Sequence, residues 1–383
     1  MLLGGSIPAG WWWWLLFAVL VLCKALLDLV ARIQTGRFRR SAHFANSERW
    51  VLVTGTSSGI GRTVVHCLVG RGFHVFAAVR SAQDYRAWLE EQEMHGKEDD
   101  SSVVPLYLDV TSNDSVQQAA QAAQDILSER RKRRRDKRKD EREYGTQVKL
   151  WGIINNAGIS LVGPMEETDQ ETIQRVMDVN AMGCVRVVQA FLPLMRNEVD
   201  EGAHDEASLP GPAAQGRILF VSSVAAFNTL VFNGFYAASK RAMEAMADAL
   251  RQELRPWRIG VSIIQPAMFR SPGVDKYIES TCSTVTSSSS PKNQGDAQTN
   301  KRKLPTSRYA SALRQYKASA EQQLKGSGHP QPVAEVCWEA LTAYRPAARY
   351  RVGPWAAVLY YMQWLMPELI LDPLLEFALA RYG

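Results

Sequence analysis

Residues 49–61 read Arg-Trp-Val-Leu-Val-Thr-Gly-Thr-Ser-Ser-Gly-Ile-Gly, and this stretch decides the fold. Arg49–Thr54 is a short apolar run, and helical periodicity follows the glycines through Arg71. Glycines let a backbone approach a ligand closely, and the next helix points its N–H groups and positive dipole end at whatever binds there. The spacing is G-x-x-x-G-x-G, at Gly55, Gly59 and Gly61, rather than the commoner G-x-G-x-x-G. A glycine-rich turn by itself also reads as a plain structural turn. Its place between a strand and a helix favours a pyrophosphate.

The same alternation continues outward. Phe73–Val79, Val103–Val110, Leu150–Asn155, Arg217–Ser222 and Ile259–Gln265 are apolar runs of strand length, and Arg349–Val352 adds a last one. Helical stretches over Ser115–Glu129, Gln170–Met195 and Tyr236–Leu254 lie between them. Continuously apolar strands alternating with helices predict an α/β fold, a doubly wound parallel sheet covered on both faces. Such folds bind ligands at the carboxyl ends of their strands. One domain over residues 49–353 is expected, with insertions at Glu129–Tyr144, Asn197–Gln215 and Ser280–Lys303 where added length costs little. No internal repeat is visible.

The bulk numbers fit a globular core: 383 residues, 46% hydrophobic and 22% charged, with a net charge of +6. Much of that charge sits in Arg130–Arg135 and Lys137–Lys139. Such a run reads first as a solvated helix face or a loop, and second as a contact for anionic lipid or nucleic acid. No aromatic residue interleaves it, which counts against nucleic acid. The cysteines, Cys23, Cys67, Cys184, Cys282 and Cys337, are scattered and odd in number, with no metal-ligand spacing. That is the pattern of a chain facing a reducing compartment.

The termini differ from this middle. Met1–Cys23 carries no charged side chain, and Trp11–Trp14 leads into Leu15–Cys23. This predicts a membrane anchor over residues 1–30, with the tryptophans at one interface. A basic linker, residues 31–48, follows with Arg32, Arg37, Arg39 and Arg40, and that bias places the rest in the cytosol. A cleaved signal peptide lacks support because no basic n-region or A-x-A-like exit is present. A buried core helix is the bland alternative. An endomembrane such as the endoplasmic reticulum is the expected location. Trp355–Leu379, within residues 354–383, is also apolar and is broken by Pro367 and Pro373. It reads as a packed cap, a face for self-association into a homo-oligomer, or helices lying in the bilayer surface; its length and aromatic content favour membrane contact.

Three further motifs carry chemistry. Asn155-Asn156-Ala157-Gly158 ends the fourth strand, where it is either a turn or the far wall of a nucleotide cleft. Tyr236-Ala237-Ala238-Ser239-Lys240 opens a helix, and its i, i+4 spacing puts phenol and ammonium on one face. A phenol ordinarily keeps its proton near neutrality, and a nearby cation favours the phenolate. Ser223, at the end of the fifth strand, can donate a hydrogen bond to a carbonyl oxygen. A lone Tyr–Lys pair is more often a surface coincidence; these features together, at compatible sheet positions, are not.

With TGTSSGIG, NNAG and YAASK standing in this order, and Ser223 thirteen residues before Tyr236, the sequence resembles the short-chain dehydrogenase/reductase family over Arg49–Ser271, with a looser tail to Gly353. It looks most similar to the retinol, 17β-hydroxysteroid and D-β-hydroxybutyrate dehydrogenase branch. The resemblance implies a Rossmann fold and an NAD(P)-dependent reaction on an alcohol or carbonyl. It implies that Tyr236 exchanges the proton and that Lys240 supports the phenolate and holds the nicotinamide ribose. Ser223 would polarise the carbonyl, and Asn180 would anchor a water of the proton relay. For the cofactor it implies Thr54, Gly55, Ser57, Ser58, Gly59, Ile60 and Gly61 at the pyrophosphate, and Asp109 and Val110 at the adenine. Asn156, Ala157 and Gly158 would line the far wall, and Pro266 and Ser271 the carboxamide. Two departures stand out: Pro266-Ala267 replaces the family's Pro-Gly, and Ser271 its threonine.

Val79-Arg80 ends the second strand without a carboxylate to take the ribose hydroxyls of NAD, and an arginine there can pair with a 2′-phosphate. NADP(H) is therefore favoured over NAD(H), although Arg80 also reads as a surface charge. Leu161, Val162, Phe227, Leu230, Val231, Phe232 and Phe235 surround the motifs. They read as a site for a lipophilic steroid, retinoid or ketolipid, or as ordinary core. With cytosolic NADPH the direction would be reductive. Two rivals of other classes are a non-catalytic nucleotide-binding scaffold and an adaptor acting through Arg130–Lys139. Intact Tyr236, Lys240, Ser223 and Asn180 count against the first.

Overall fold

The computed structural model describes residues 48–94, 102–137, 148–196, 216–270, 308–353 and 356–366. The anchor and most of the linker, the insertions at 197–215 and 280–303, part of the 129–144 run, Ser271 and most of the C-terminal segment lie outside them.

Strand β1 (Arg49–Thr54) is buried along its whole length, as a strand covered on both faces must be. Trp50 and Leu52 face one core cluster while Val51 and Val53 face the other, the period of two that a pleated strand imposes. After it come α1 (Gly59–Val69), β2 (His74–Val79), α2 (Ala82–Met94), β3 (Val103–Tyr107), α3 (Asn113–Lys137) and β4 (Lys149–Asn155). Next are α4 (Gln170–Met177), a π-helical turn (Asp178–Met182) and α5 (Gly183–Met195), then β5 (Gly216–Val221) and α6 (Gly234–Glu253). The chain ends with β6 (Ile259–Pro266), α7 (Ala310–Lys325), α8 (Gln331–Thr342), β7 (Arg349–Val352) and α9 (Ala356–Leu365).

The described strands form one seven-stranded sheet in the order β3-β2-β1-β4-β5-β6-β7, and every pairing is parallel. Helices α3, α5 and α6 bury Leu127, Phe191 and Met243 against one face. On the other, α1, α2 and α8 bury Leu68, Trp88 and Leu341. The order reverses between β1 and β4, so the crevice where such folds bind ligands opens beside the glycine turn.

The structure corrects three expectations. Helix α3 does not stop at Glu129 but takes in the basic run as far as Lys137. The reason is tertiary: Arg131 donates to the Val148 carbonyl at 2.7 Å, Arg134 pairs with buried Glu48 at 2.9 Å, and the Arg130 guanidinium lies 5.7 Å from the Trp50 ring centre. Long cationic side chains reach back to the sheet while their charges stay wet. The third strand ends at Tyr107 rather than Val110, yet Leu108 and Val110 remain buried under α3. The stretch over Gln170–Met195 is helical throughout but carries the π turn at its centre. Among the described residues, no helix is long and apolar enough to cross a membrane.

Candidate active site

The site is built where β1, β4, β5 and β6 end. Gly55 has φ 69° and Gly59 φ 60°, left-handed values that favour glycine. A β-carbon at Gly55 would lie 2.8 Å from Ala157 Cα, and one at Gly61 would run into the Gly55 carbonyl and the Asn156 amide. The two motifs are sewn together across the sheet. Thr54 Oγ1 accepts the N–H groups of Asn156 and Ala157, both at 3.0 Å. Asn156 Nδ2 donates to the carbonyls of Thr54 and Gly55 at 2.9 and 3.1 Å. Buried Thr56 ties the turn to β2, its N–H and its hydroxyl both donating to Ala78 O.

Beyond the turn, Ser57 is exposed and Ser58 half-buried. Ser58 caps α1 in an extended conformation without a side-chain capping bond, and no acid occupies the first helical turn. Ile60 packs on the core and fixes that turn. This backbone cradle, without β-carbons at Gly55, Gly59 and Gly61 and without an acid in its first helical turn, fits a pyrophosphate.

Arg80 is exposed at the end of β2, and Asp109 is half-buried. Burial pushes the Asp109 carboxyl up. The N–H and hydroxyl of Thr111, with the charges of Arg80 and Arg175, outweigh it and hold Asp109 below the usual carboxylate range. Val110 is buried against Gly183, where a β-carbon would approach it to 2.8 Å.

Asn180 is fully buried in the π turn, a kind of irregularity common at functional sites. Its Oδ1 accepts from Ile159 N–H at 2.8 Å, and its Nδ2 donates to Ile159 O at 2.8 Å and Ser239 Oγ at 2.9 Å. Ser239 Oγ in turn donates to the Tyr236 carbonyl at 2.7 Å. Lys240 is buried, and its Nζ donates to Val221 O at 2.9 Å. It also lies 5.9 Å from the centre of the half-buried Tyr236 ring. A β-carbon at Gly158 would stand 3.3 Å from both Asn180 Oδ1 and Lys240 Nζ, which places NNAG, the π turn and the Tyr–Lys helix around one point. Ser223, two residues past Val221, accepts from Ala225 N–H at 3.2 Å and starts a short helical turn that packs on α6.

Pro266 closes β6 and is buried. Ala267 continues the pairing, its N–H donating to Val352 O at 2.8 Å. Its φ is not positive, so alanine replaces the family's glycine there without strain. Ser271 lies outside the described residues.

None of the seven apolar residues expected around the site is buried core; Val231 is 50% exposed and the others are half-buried. Sequence reasoning missed their partners. Phe227 meets Tyr360 of α9 edge-on at 5.4 Å. Phe232, at φ 64°, lies edge-on to Tyr309 and Tyr316 at 6.0 and 5.9 Å. The seven-residue spacing of the two tyrosines is the signal that could have announced them.

Fold and site together define an NAD(P)-dependent oxidoreductase acting on CH–OH groups. The family model described as short chain dehydrogenase matches residues 49–130 and 141–281, and the chain belongs to that family. It is 30% identical to human retinol dehydrogenase 16, over 86% of this chain and 88% of the relative. It is 26% identical to an NADPH-dependent 3-dehydrocapnine reductase of Ornithobacterium rhinotracheale, over 85% and 95%. To bovine mitochondrial D-beta-hydroxybutyrate dehydrogenase it is 32% identical, over 57% and 54%. Among solved structures, a short-chain dehydrogenase from Streptomyces avermitilis shares the fold with a TM-score of 0.58 at 21% identity, covering 88% of this chain and 99% of that one.

Proposed function

We propose that this enzyme interconverts a lipophilic alcohol and its carbonyl compound at a membrane, mainly in the reducing direction, with NADP(H) preferred. The observation that carries the reading is Lys240 Nζ, buried and fixed to Val221 O beside the Tyr236 ring. When bound, the nicotinamide supplies or takes up the hydride. Ser223 donates a hydrogen bond to the substrate oxygen, polarising a carbonyl or orienting an alcohol. Tyr236 passes its proton to that oxygen in reduction and takes it back in oxidation. Lys240 stabilises the phenolate left behind. Both amide hydrogens of Asn180 are already donated, so the water expected there is held through acceptor oxygens.

The half-buried aromatic and aliphatic walls favour an apolar substrate over a small polar one. Names among the relatives point the same way, to retinol and, in a Caenorhabditis elegans relative 30% identical over 59% of this chain, to a 3beta-hydroxysteroid. The exposed Arg80 and the name of the NADPH-dependent relative support the cofactor preference. The uncharged stretch Met1–Cys23 supports the membrane setting, with the catalytic body facing the cytosol.

NADPH oxidation against a panel of steroid, retinoid and ketolipid carbonyls tests the proposal, comparing the wild type with Tyr236→Phe. Turnover on at least one lipophilic carbonyl, lowered at least a hundredfold in Tyr236→Phe, is expected. Equal turnover by both proteins would refute the acid–base assignment.

A further inference from the structure

Helix α6 carries polar side chains at four-residue intervals, Tyr236, Lys240, Glu244 and Asp248, so they form one row along its surface. The proposed chemistry uses the first two. Glu244 is 8% exposed, and its bonds all cross to the sheet. Ser222 Oγ donates to Oε1 at 2.6 Å. Gln265 Nε2 lies 2.9 and 3.0 Å from the two carboxylate oxygens. Arg349 Nε pairs with Oε2 at 3.4 Å and extends to Asp248. Asp248 and Glu244 hold the Arg349 guanidinium above its usual range against the opposing effect of burial.

A buried carboxylate is a costly way to pack a helix on a sheet. Met243 and Ala247, on the same helix, do that packing with apolar groups. What Glu244 contributes is connection. Ser222 stands between Val221, whose carbonyl holds Lys240, and Ser223, which faces the substrate oxygen in the proposed reaction. Gln265 directly precedes Pro266 at the end of β6.

We propose that Glu244 is a positioning residue, a buried carboxylate that fixes the helix bearing Tyr236 and Lys240 to the strand ends bearing Ser223 and Pro266. This rests on the acid–base reading of Tyr236. By clamping Ser222 and Gln265 at once it sets how far the phenol and the Ser223 hydroxyl stand from a shared substrate oxygen. Misplacement of such groups by about an ångström lowers turnover without loosening a cofactor held mainly by the glycine cradle.

The test uses the full chain with Glu244→Gln and Ser222→Ala, each alone and combined with Tyr236→Phe. NADPH affinity is followed by tryptophan fluorescence and folding by thermal melting. Ser222→Ala is the gentler variant, since it removes one hydroxyl and leaves the carboxylate with Gln265 and Arg349; it keeps the test open should Glu244→Gln fold poorly. We expect kcat to fall at least tenfold in Glu244→Gln and at least threefold in Ser222→Ala, with the NADPH Kd changed less than threefold. In the Tyr236→Phe background neither should lower the rate further, because groups acting as a unit are not additive. Unchanged kcat in both single variants, or losses that multiply onto that of Tyr236→Phe, would overturn the positioning role alone. Wild-type turnover by Tyr236→Phe would overturn it together with the reading it rests on.

Discussion

Arg80 and Asp109 are the single charges on which the proposed cofactor choice turns. Arg80 stands exposed at the end of β2, and Asp109, whose carboxyl feels its charge, is tied to Thr111. A charge-assisted pair with a 2′-phosphate is worth about 1.5–3 kcal/mol. Arg80→Asp should therefore lower the NADP-to-NAD ratio of kcat/KM by roughly ten- to a hundredfold, and steady-state kinetics with both cofactors measures it; an unchanged ratio removes the assignment. Asp109 carries a pH signature of its own. Its folded carboxyl titrates below the ordinary range, so its stabilisation is complete above the unfolded value of about 3.9 and fades as pH falls through the folded one. Asp109→Asn keeps an oxygen for the Thr111 bonds but loses the charge. It should cost about 1 kcal/mol at pH 7, the difference between charge-assisted and neutral bonds, and converge with wild type in acid, as urea melts across pH would show. The glycines, the Tyr–Lys pair and Arg80 stood out as candidates because each signals chemistry by type and spacing. Glu244 was not, because its meaning depends on Ser222 and Gln265 arriving from two strands. Thr54 and Asn156, 102 residues apart, meet for the same reason only after folding.

At the level of elements, alternating apolar strands and helices announced the sheet, and strand ends shifted by only a few residues. What periodicity hid was irregularity and support. The π turn at Asp178–Met182 lies inside a continuous helical pattern, and the one extra residue it takes in offsets the apolar period by a single position without interrupting the helix-forming run. Helix α3 ran on through a basic stretch because Glu48, Val148 and Trp50 anchor side chains that look solvated in sequence. The π turn delivers Asn180 to the loop after β4 and to α6 simultaneously. Asn180→Ala would strand the Ile159 N–H and carbonyl and take one of its two partners from buried Ser239 Oγ, which keeps the Tyr236 carbonyl. Orphaned buried groups cost about 1–3 kcal/mol each before relaxation. A net loss of roughly 2–4 kcal/mol is expected, read as a lower urea midpoint at unchanged slope. A loss under about 0.5 kcal/mol, the scale of a surface change, would show that the amide is not the tie between these elements.

For the molecule as a whole, the proposed membrane attachment lies outside the catalytic body along the chain. The sheet begins at Arg49, and Glu48 just before it is already fixed by Arg134. The uncharged stretch Met1–Cys23 precedes this body by a basic linker. At the other end, α9 packs Tyr360 on Phe227 beside the site while Val358 and Trp364 are 45% and 65% exposed. On the proposed membrane reading, the apolar stretches at the two ends would be attachments of different strength. A spanning helix resists extraction, whereas a surface helix with a few apolar contacts binds reversibly. The full chain should therefore stay with membranes through an alkaline carbonate wash, and a chain lacking residues 1–30 should be released by it. The released protein should still bind NADPH, because the glycine cradle draws on β1, α1, β2 and β4, all beyond residue 30. Retention of the shortened chain after the wash would shift the anchor to residues 354–383, and deleting that segment as well would then free the protein. Release of the full chain by the same wash would remove the spanning helix from the account.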